Sequence, residues 1–172
     1  VAGPFENNIT RLEPLVPNLT RQKIVETALR NTLELEQVPV TNLINLFQTL
    51  KSQNYILGIA TNDIIEPTIS QLKRAGIYSF FDYIAGSDSG YGAKPEAGQL
   101  ISFSKSTCLP DKNIAMIGDS IHDLVAGQEA NMTSIGVLTG TASEKELSKY
   151  ADWVIPDISK LPNLLSKINT SF

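Results

Sequence analysis

The sequence predicts an α/β protein built on a parallel sheet, and three observations carry that prediction. Short apolar runs of strand length recur along the chain. Stretches with helical apolar spacing separate them. Polar residues gather directly after three of the runs. Runs that are continuously apolar, rather than alternating, mark strands covered on both faces, the habit of parallel sheets. The 172 residues suit one domain, or one with a small appendage, and are enough to bury a core.

Up to about Pro39 the apolar residues recur only at helical spacing. Thr20 to Val38 puts Ile24, Ala28, Leu29 and Leu33 on one face before Pro39 stops the helix. This sets a boundary between a helical segment, 1–38, and an α/β segment, 39–172. Asn42 to Gln53 repeats the helical pattern with Leu43, Leu46, Phe47 and Leu50. Tyr55 to Ala60 reads as the first strand. Pro67 then sits in a first helical turn, Ile69, Leu72 and Ala75 form a stripe, and Gly76 ends the helix. Tyr83-Ile84-Ala85, Ile114 to Ile117, Ser134 to Val137 and Trp153 to Ile155 are the remaining strands. Helices are expected over Glu96 to Ser106, Ile121 to Ala130 and Ser143 to Tyr150, the last opening with Ser143 and Glu146 at capping-box spacing. Right-handed crossovers between such units give a parallel sheet.

Composition narrows the function. The chain is 42% apolar and 19% charged, with fourteen basic and eighteen acidic residues and a net charge of −4. With no basic block, nucleic acid and anionic membranes are poor partners. Cys108 is the only cysteine and His122 the only histidine, which excludes an intrachain disulfide, a cysteine-based zinc site and a histidine-rich metal site. No apolar run spans a bilayer and no signal peptide opens the chain, so a cytoplasmic location is expected. Trp153 is expected to pack a late strand on a helix, and Phe80 and Phe81 to grip a helix-to-strand turn. Asp152 and Asp157 read as structural.

In open parallel sheets, ligands collect beyond the carboxyl ends of the strands. The first strand ends in Thr61-Asn62-Asp63, whose hydroxyl and amides can donate to a phosphate. The second leads through a glycine-rich loop containing Asp88 to Lys94-Pro95, where an ammonium can neutralise charge on a transferred phosphoryl group. The third ends in Gly118-Asp119-Ser120-Ile121-His122-Asp123. Two carboxylates one helical turn apart suit Mg²⁺, which takes one or two carboxylates, waters and phosphate oxygens. Singly, the same residues read as a helix cap, a strand-end threonine and a solvated lysine. Asp88 reads either as a member of the metal shell or as solvated.

Together, Ile59-Ala60-Thr61-Asn62, Gly92-Ala93-Lys94-Pro95 and Ile117-Gly118-Asp119-Ser120-Ile121-His122-Asp123 resemble the second, third and fourth motifs of the haloacid dehalogenase superfamily. Order and spacing match over about Thr41 to Ile155. Residues 1–38 are similar to the later part of a helical cap, as in phosphoglycolate-phosphatase-like members. The resemblance implies a Rossmann-like three-layer α/β/α core with a partial cap, and a Mg²⁺-dependent phosphomonoester hydrolase acting on a small phosphorylated metabolite. Thr61 and Lys94 would be catalytic, Thr61, Asn62 and Lys94 phosphate-binding, and Asp119 and Asp123 metal-holding. The family's first motif, Asp-x-Asp-x-Thr, is absent from the chain. Its nucleophilic aspartate is therefore expected upstream, on a strand between those ending at Thr61 and Gly118. A catalytically inactive phosphate-binding module, or a related mutase or phosphonatase, is the alternative. On this reading Lys94→Ala lowers turnover by roughly a hundredfold and leaves the melting temperature nearly unmoved.

Overall fold

The computed structural model describes residues 41–169. The helical segment expected over 1–38 lies outside the described residues.

Among the described residues, five short strands form two parallel sheets. Strand β1 (Gly58–Ala60) pairs with β2 (Tyr83–Ala85), Ile59 opposite Ile84. Strands β3 (Ala115–Gly118), β4 (Thr133–Val137) and β5 (Trp153–Ile155) follow side by side, Ile117 opposite Ile135 and Gly136 opposite Val154. Among the described residues no ladder joins β1 to β3, as expected if another strand belongs between them.

Helices cover both faces. Helix α1 (Leu43–Ser52) opens on Asn42, whose side chain accepts the Asn45 N–H, and buries Leu46, Phe47 and Leu50. Helix α2 (Ile65–Arg74) has Pro67 in its first turn and runs out through Gly76 in the left-handed region, where only glycine is unstrained. Helix α3 (Gly98–Thr107) follows β2, and α4 (Ile121–Glu129) joins β3 to β4. A four-residue helix, α5 (Glu144–Leu147), precedes β5, and α6 (Leu161–Asn169) closes the described chain.

One apolar cluster gathers Leu46, Phe47 and Leu50 of α1, Ile135 and Val137 of β4, Ile155 of β5 and Leu161 and Leu164 of α6, with Leu57, Phe80, Phe81, Ala115 and Ile117 packed against it. The other gathers Leu100 of α3, Ala126 of α4, Ile114, Ala130 and Met132, with Ala60 and Met116 against it. Ile117 and Met116 fall in different clusters because successive strand side chains point to opposite faces. The second cluster takes Ala60 from one sheet and Met116 from the other, and the first joins β3, β4 and β5 to Leu57, just ahead of β1. The apolar layers therefore hold the two sheets together. The layering is the expected α/β/α arrangement.

Several elements depart from expectation. The Tyr55–Ala60 run yields only three paired residues, its first half serving as a lead-in tied to Asp82, whose carboxylate accepts the Leu57 N–H at 2.9 Å. The helix expected to reach Tyr150 stops at Leu147, although Glu146 does accept from the Ser143 N–H and hydroxyl as the capping box requires. Phe80 and Phe81 flank Phe47, with ring centroids 5.9 and 5.1 Å from it. Trp153 is only half covered, sharing a surface pocket with Lys167 and Ile168 of α6. It begins an edge strand and is 49% exposed. Asp152 accepts the Ser134 N–H and Asp157 the Ser159 N–H, both structural as read. Among the described residues, no helix is long and apolar enough to cross a membrane.

Candidate active site

The carboxyl ends of β1 and β3, and the loop leaving β2, bring the expected polar residues to one edge of the core. β1 delivers Thr61, whose N–H continues the ladder onto Ala85 at 3.0 Å. Its hydroxyl oxygen accepts the Asp63 N–H at 3.0 Å, so that amide is spent within the turn. The Thr61 hydroxyl proton and the Asn62 backbone N–H have no partner among the described residues and stay available to a ligand.

The Asn62 side chain does something the sequence did not foretell. Its Oδ1 accepts the Lys94 N–H at 2.8 Å, and its Nδ2 donates to the Lys94 carbonyl at 2.9 Å. This two-way clamp fixes the Lys94 backbone beside β1, next to a cis Lys94–Pro95 bond. Only the backbone of Asn62 is left for a phosphate.

Lys94 carries its ammonium inward. The side chain is 10% exposed and ion-paired with Asp123 Oδ1 at 2.6 Å, while it also donates to the Ala60 carbonyl at 2.5 Å. An ammonium has three donors, so one remains. Lys94 thus links β1 of one sheet to the helix that follows β3 of the other.

Asp123 is buried rather than a solvated first-turn acid. Its Oδ2 accepts the Ser120 N–H at 3.1 Å and the Ser120 hydroxyl at 2.7 Å, while its own N–H approaches the Ser120 oxygen at 3.3 Å. Ser120 is therefore the cap of α4, and Ser120 with Asp123 forms a capping box. The Ser-x-x-Asp spacing announces such a box, a signal read at Ser143 but missed here. Gly118 makes this possible: a Cβ there would sit on the Asp123 side chain.

Asp119 is the opposite case. It is exposed, and no hydrogen bond or ion pair engages it among the described residues. Its carboxylate lies against Gly140 in the loop after β4, where an added Cβ would come within 2.6 Å of Asp119 Cγ. Among the described residues no group of three or more His, Cys, Asp or Glu forms a protein-only metal cage. Asp88 stands apart, its Oδ1 accepting the Ile65 N–H at 3.0 Å at the start of α2. His122 is exposed on the first turn of α4.

Sequence reasoning also missed Gln99. This α3 side chain is fully buried, and its Nε2 donates to the carbonyls of Thr61 and Gly92, each at 3.0 Å. Beside it, burial pushes the Tyr83 phenol above its ordinary range, and the Tyr83 hydroxyl reaches the Gln99 carbonyl at 3.4 Å.

These strand-end residues fall inside a match to the family of haloacid dehalogenase-like hydrolases, which spans residues 7–137. The chain belongs to that family. It is 32% identical over 108 residues to a probable phosphatase IndB of Dickeya dadantii, covering 63% of this chain and 47% of that protein. It is 32% identical over 127 residues to the pyrophosphatase PpaX of Bacillus velezensis, covering 71% and 58% respectively. The chain thus spans about half the length of the curated relatives it matches. A crystal structure of a predicted phosphoglycolate phosphatase from Haemophilus somnus superposes with a TM-score of 0.76 at 22% identity, covering 84% of this chain and 64% of that one. That likeness establishes the shared Rossmann-like fold.

Proposed function

We propose that this chain belongs to a Mg²⁺-dependent phosphatase that hydrolyses a small phosphorylated metabolite in the cytoplasm. The observation that carries the reading is Lys94: a buried ammonium with one donor to spare, clamped at its backbone by Asn62 and held between the end of β1 and α4, where among the described residues no ladder joins β1 to β3. The phosphatase and pyrophosphatase names of the relatives support the same reaction class.

Thr61, the Asn62 N–H and Lys94 bind the phosphoryl oxygens and compensate their charge, which is most of what phosphoryl transfer asks of a protein. The nucleophile is an aspartate on a strand that fills the space between β1 and β3 and comes from outside residues 41–169. Its carboxylate oxygen attacks phosphorus, the ester oxygen leaves and takes a proton from a second acid, and water then cleaves the aspartyl-phosphate. None of Thr61, Lys94 or Asp119 is a credible nucleophile.

The donor set fits Mg²⁺. Asp119 is an exposed, unengaged hard carboxylate, while Asp123 is held by Lys94 and Ser120 and steers from behind. One or two carboxylates with room for water and phosphate oxygens is the usual Mg²⁺ arrangement. Bound there, Mg²⁺ supplies charge neutralisation to the phosphate.

Hydrolysis of p-nitrophenyl phosphate by the intact natural protein, with and without a chelator, tests this. Chelation should abolish turnover, and Asp119→Asn should raise the Mg²⁺ concentration required. Turnover indifferent to chelation would refute the metal assignment. Phosphate binding with no turnover at all would instead make the protein an inactive binding module.

A further inference from the structure

We propose that Gln99 is a positioning residue that aims the Asn62 N–H at the phosphate. The inference rests on the phosphatase reading above and assigns a role to a residue outside its motifs. Gln99 is 0% exposed, and both bonds from its Nε2 end on backbone carbonyls, those of Thr61 and Gly92. Its Oε1 is buried without a partner among the described residues. Turning the amide over would set that oxygen against two carbonyl oxygens, so the orientation is fixed by chemistry.

Stability alone does not single out glutamine here, because what Nε2 gains by satisfying the Thr61 and Gly92 carbonyls is offset in part by the orphaned Oε1. What glutamine adds is a grip on one particular peptide unit. The Thr61 carbonyl and the Asn62 N–H belong to the same planar trans peptide and point in opposite directions. Anchoring the carbonyl inward on Gln99 therefore turns the N–H outward, and polarises it as hydrogen bonds in series do. The second bond ties the same amide to Gly92, two residues before Lys94, and Asn62 clamps Lys94 in turn. Gln99 thus sets the Thr61–Asn62 peptide and the Lys94 loop in one register. A Cβ at the preceding Gly98 would overlap the Tyr91 carbonyl, so this loop is pressed against the start of α3.

The test uses the intact protein, inorganic phosphate as probe, and two readouts. Gln99→Met should weaken phosphate binding about tenfold in calorimetry, the size of one well-placed hydrogen bond, and should move the thermal midpoint by only a few degrees. In the wild-type protein, which avoids any folding defect of the variant, the Asn62 amide proton and nitrogen resonances should shift on phosphate addition. In Gln99→Met that shift should shrink while the Lys94 ammonium still responds. A Lys94 response with a silent Asn62 amide in the wild type, or unchanged phosphate affinity in a folded Gln99→Met, overturns the positioning role alone. No phosphate binding by the wild type overturns the phosphatase reading and this inference with it.

Discussion

Removing Lys94 should destabilise the protein as well as silence it. Lys94 and Asp123 are each 10% exposed at the side chain and meet at 2.6 Å. Deleting one partner of such a pair leaves the other charge buried and uncompensated, at a cost of about 3–5 kcal/mol. Asp123 keeps its two bonds from Ser120, which favours the lower end, about 3 kcal/mol. Over the described residues, an unfolding entropy of about 2 cal/mol/K per residue turns this into a melting-point drop of roughly 10 °C. The charge-only role expected from the sequence is thereby revised, because the motif suggests that Asp123 orients Lys94 but not how deeply the pair is buried. The assay is a double-mutant cycle by thermal and urea unfolding, with Lys94→Met, Asp123→Asn and the pair. The amide introduced by Asp123→Asn keeps an acceptor for Ser120 without a charge, so the double variant should recover about 2 kcal/mol relative to Lys94→Met. A coupling energy below about 0.5 kcal/mol, with an unchanged melting point for Lys94→Met, would refute the reasoning.

Two further outcomes are expected. Gly140→Ala places a methyl group within 2.6 Å of Asp119 Cγ; it should weaken Mg²⁺ binding about tenfold by calorimetry, equal to roughly 1.4 kcal/mol, while the exposed loop keeps the melting point within a few degrees. Asp82 is held below its ordinary carboxyl value of 3.8 chiefly by the Lys51 ammonium. A depressed folded-state value means its contribution is complete above the unfolded value and is lost as pH falls through the folded one. Lys51→Met should therefore lower the melting point slightly at neutral pH, with the difference shrinking as pH falls below the ordinary carboxyl value of 3.8. Because the two side chains are 34% and 42% exposed, the effect should stay below about 1 kcal/mol and fade with salt.

Much of the fold was legible because parallel strands announce themselves by uninterrupted apolar residues and their helices by period. Ile114 to Ile117 and Trp153 to Ile155 carried that signal and formed strands. Tyr55 to Leu57 carried it equally, yet they pack as a lead-in, since apolar content specifies burial and not ladder pairing. The closing helix Leu161–Asn169 was missed, although Leu161 and Leu164 belong to the core. Its first turn contains Pro162, and the helix was not framed by two recognised strands. At the candidate site, the motifs announced Thr61, Lys94, Asp119 and Asp123 as residue types with a chemistry. What each side chain holds was not legible. The clamp of Asn62 on Lys94 and the reach of Gln99 to Thr61 join residues more than thirty positions apart, and no local pattern encodes such a meeting. The exposure of Trp153 was hidden for a related reason: large apolar residues are usually buried, but among the described residues the edge strand that carries it has no neighbour on its outer side.

That exposed tryptophan has a practical consequence. It is the only one in the chain, and it lies at the entry end of β5, on the side of the core away from Thr61 and Asp119, near Met132 and Lys112. Half in water already, its emission in the native state should be red-shifted and open to collisional quenchers, so unfolding will change its wavelength only modestly. It should also be blind to phosphate arriving at the opposite edge. Intrinsic tryptophan fluorescence is therefore a poor titration signal for this protein, and a constant spectrum on adding ligand is the expected result whether or not the ligand binds.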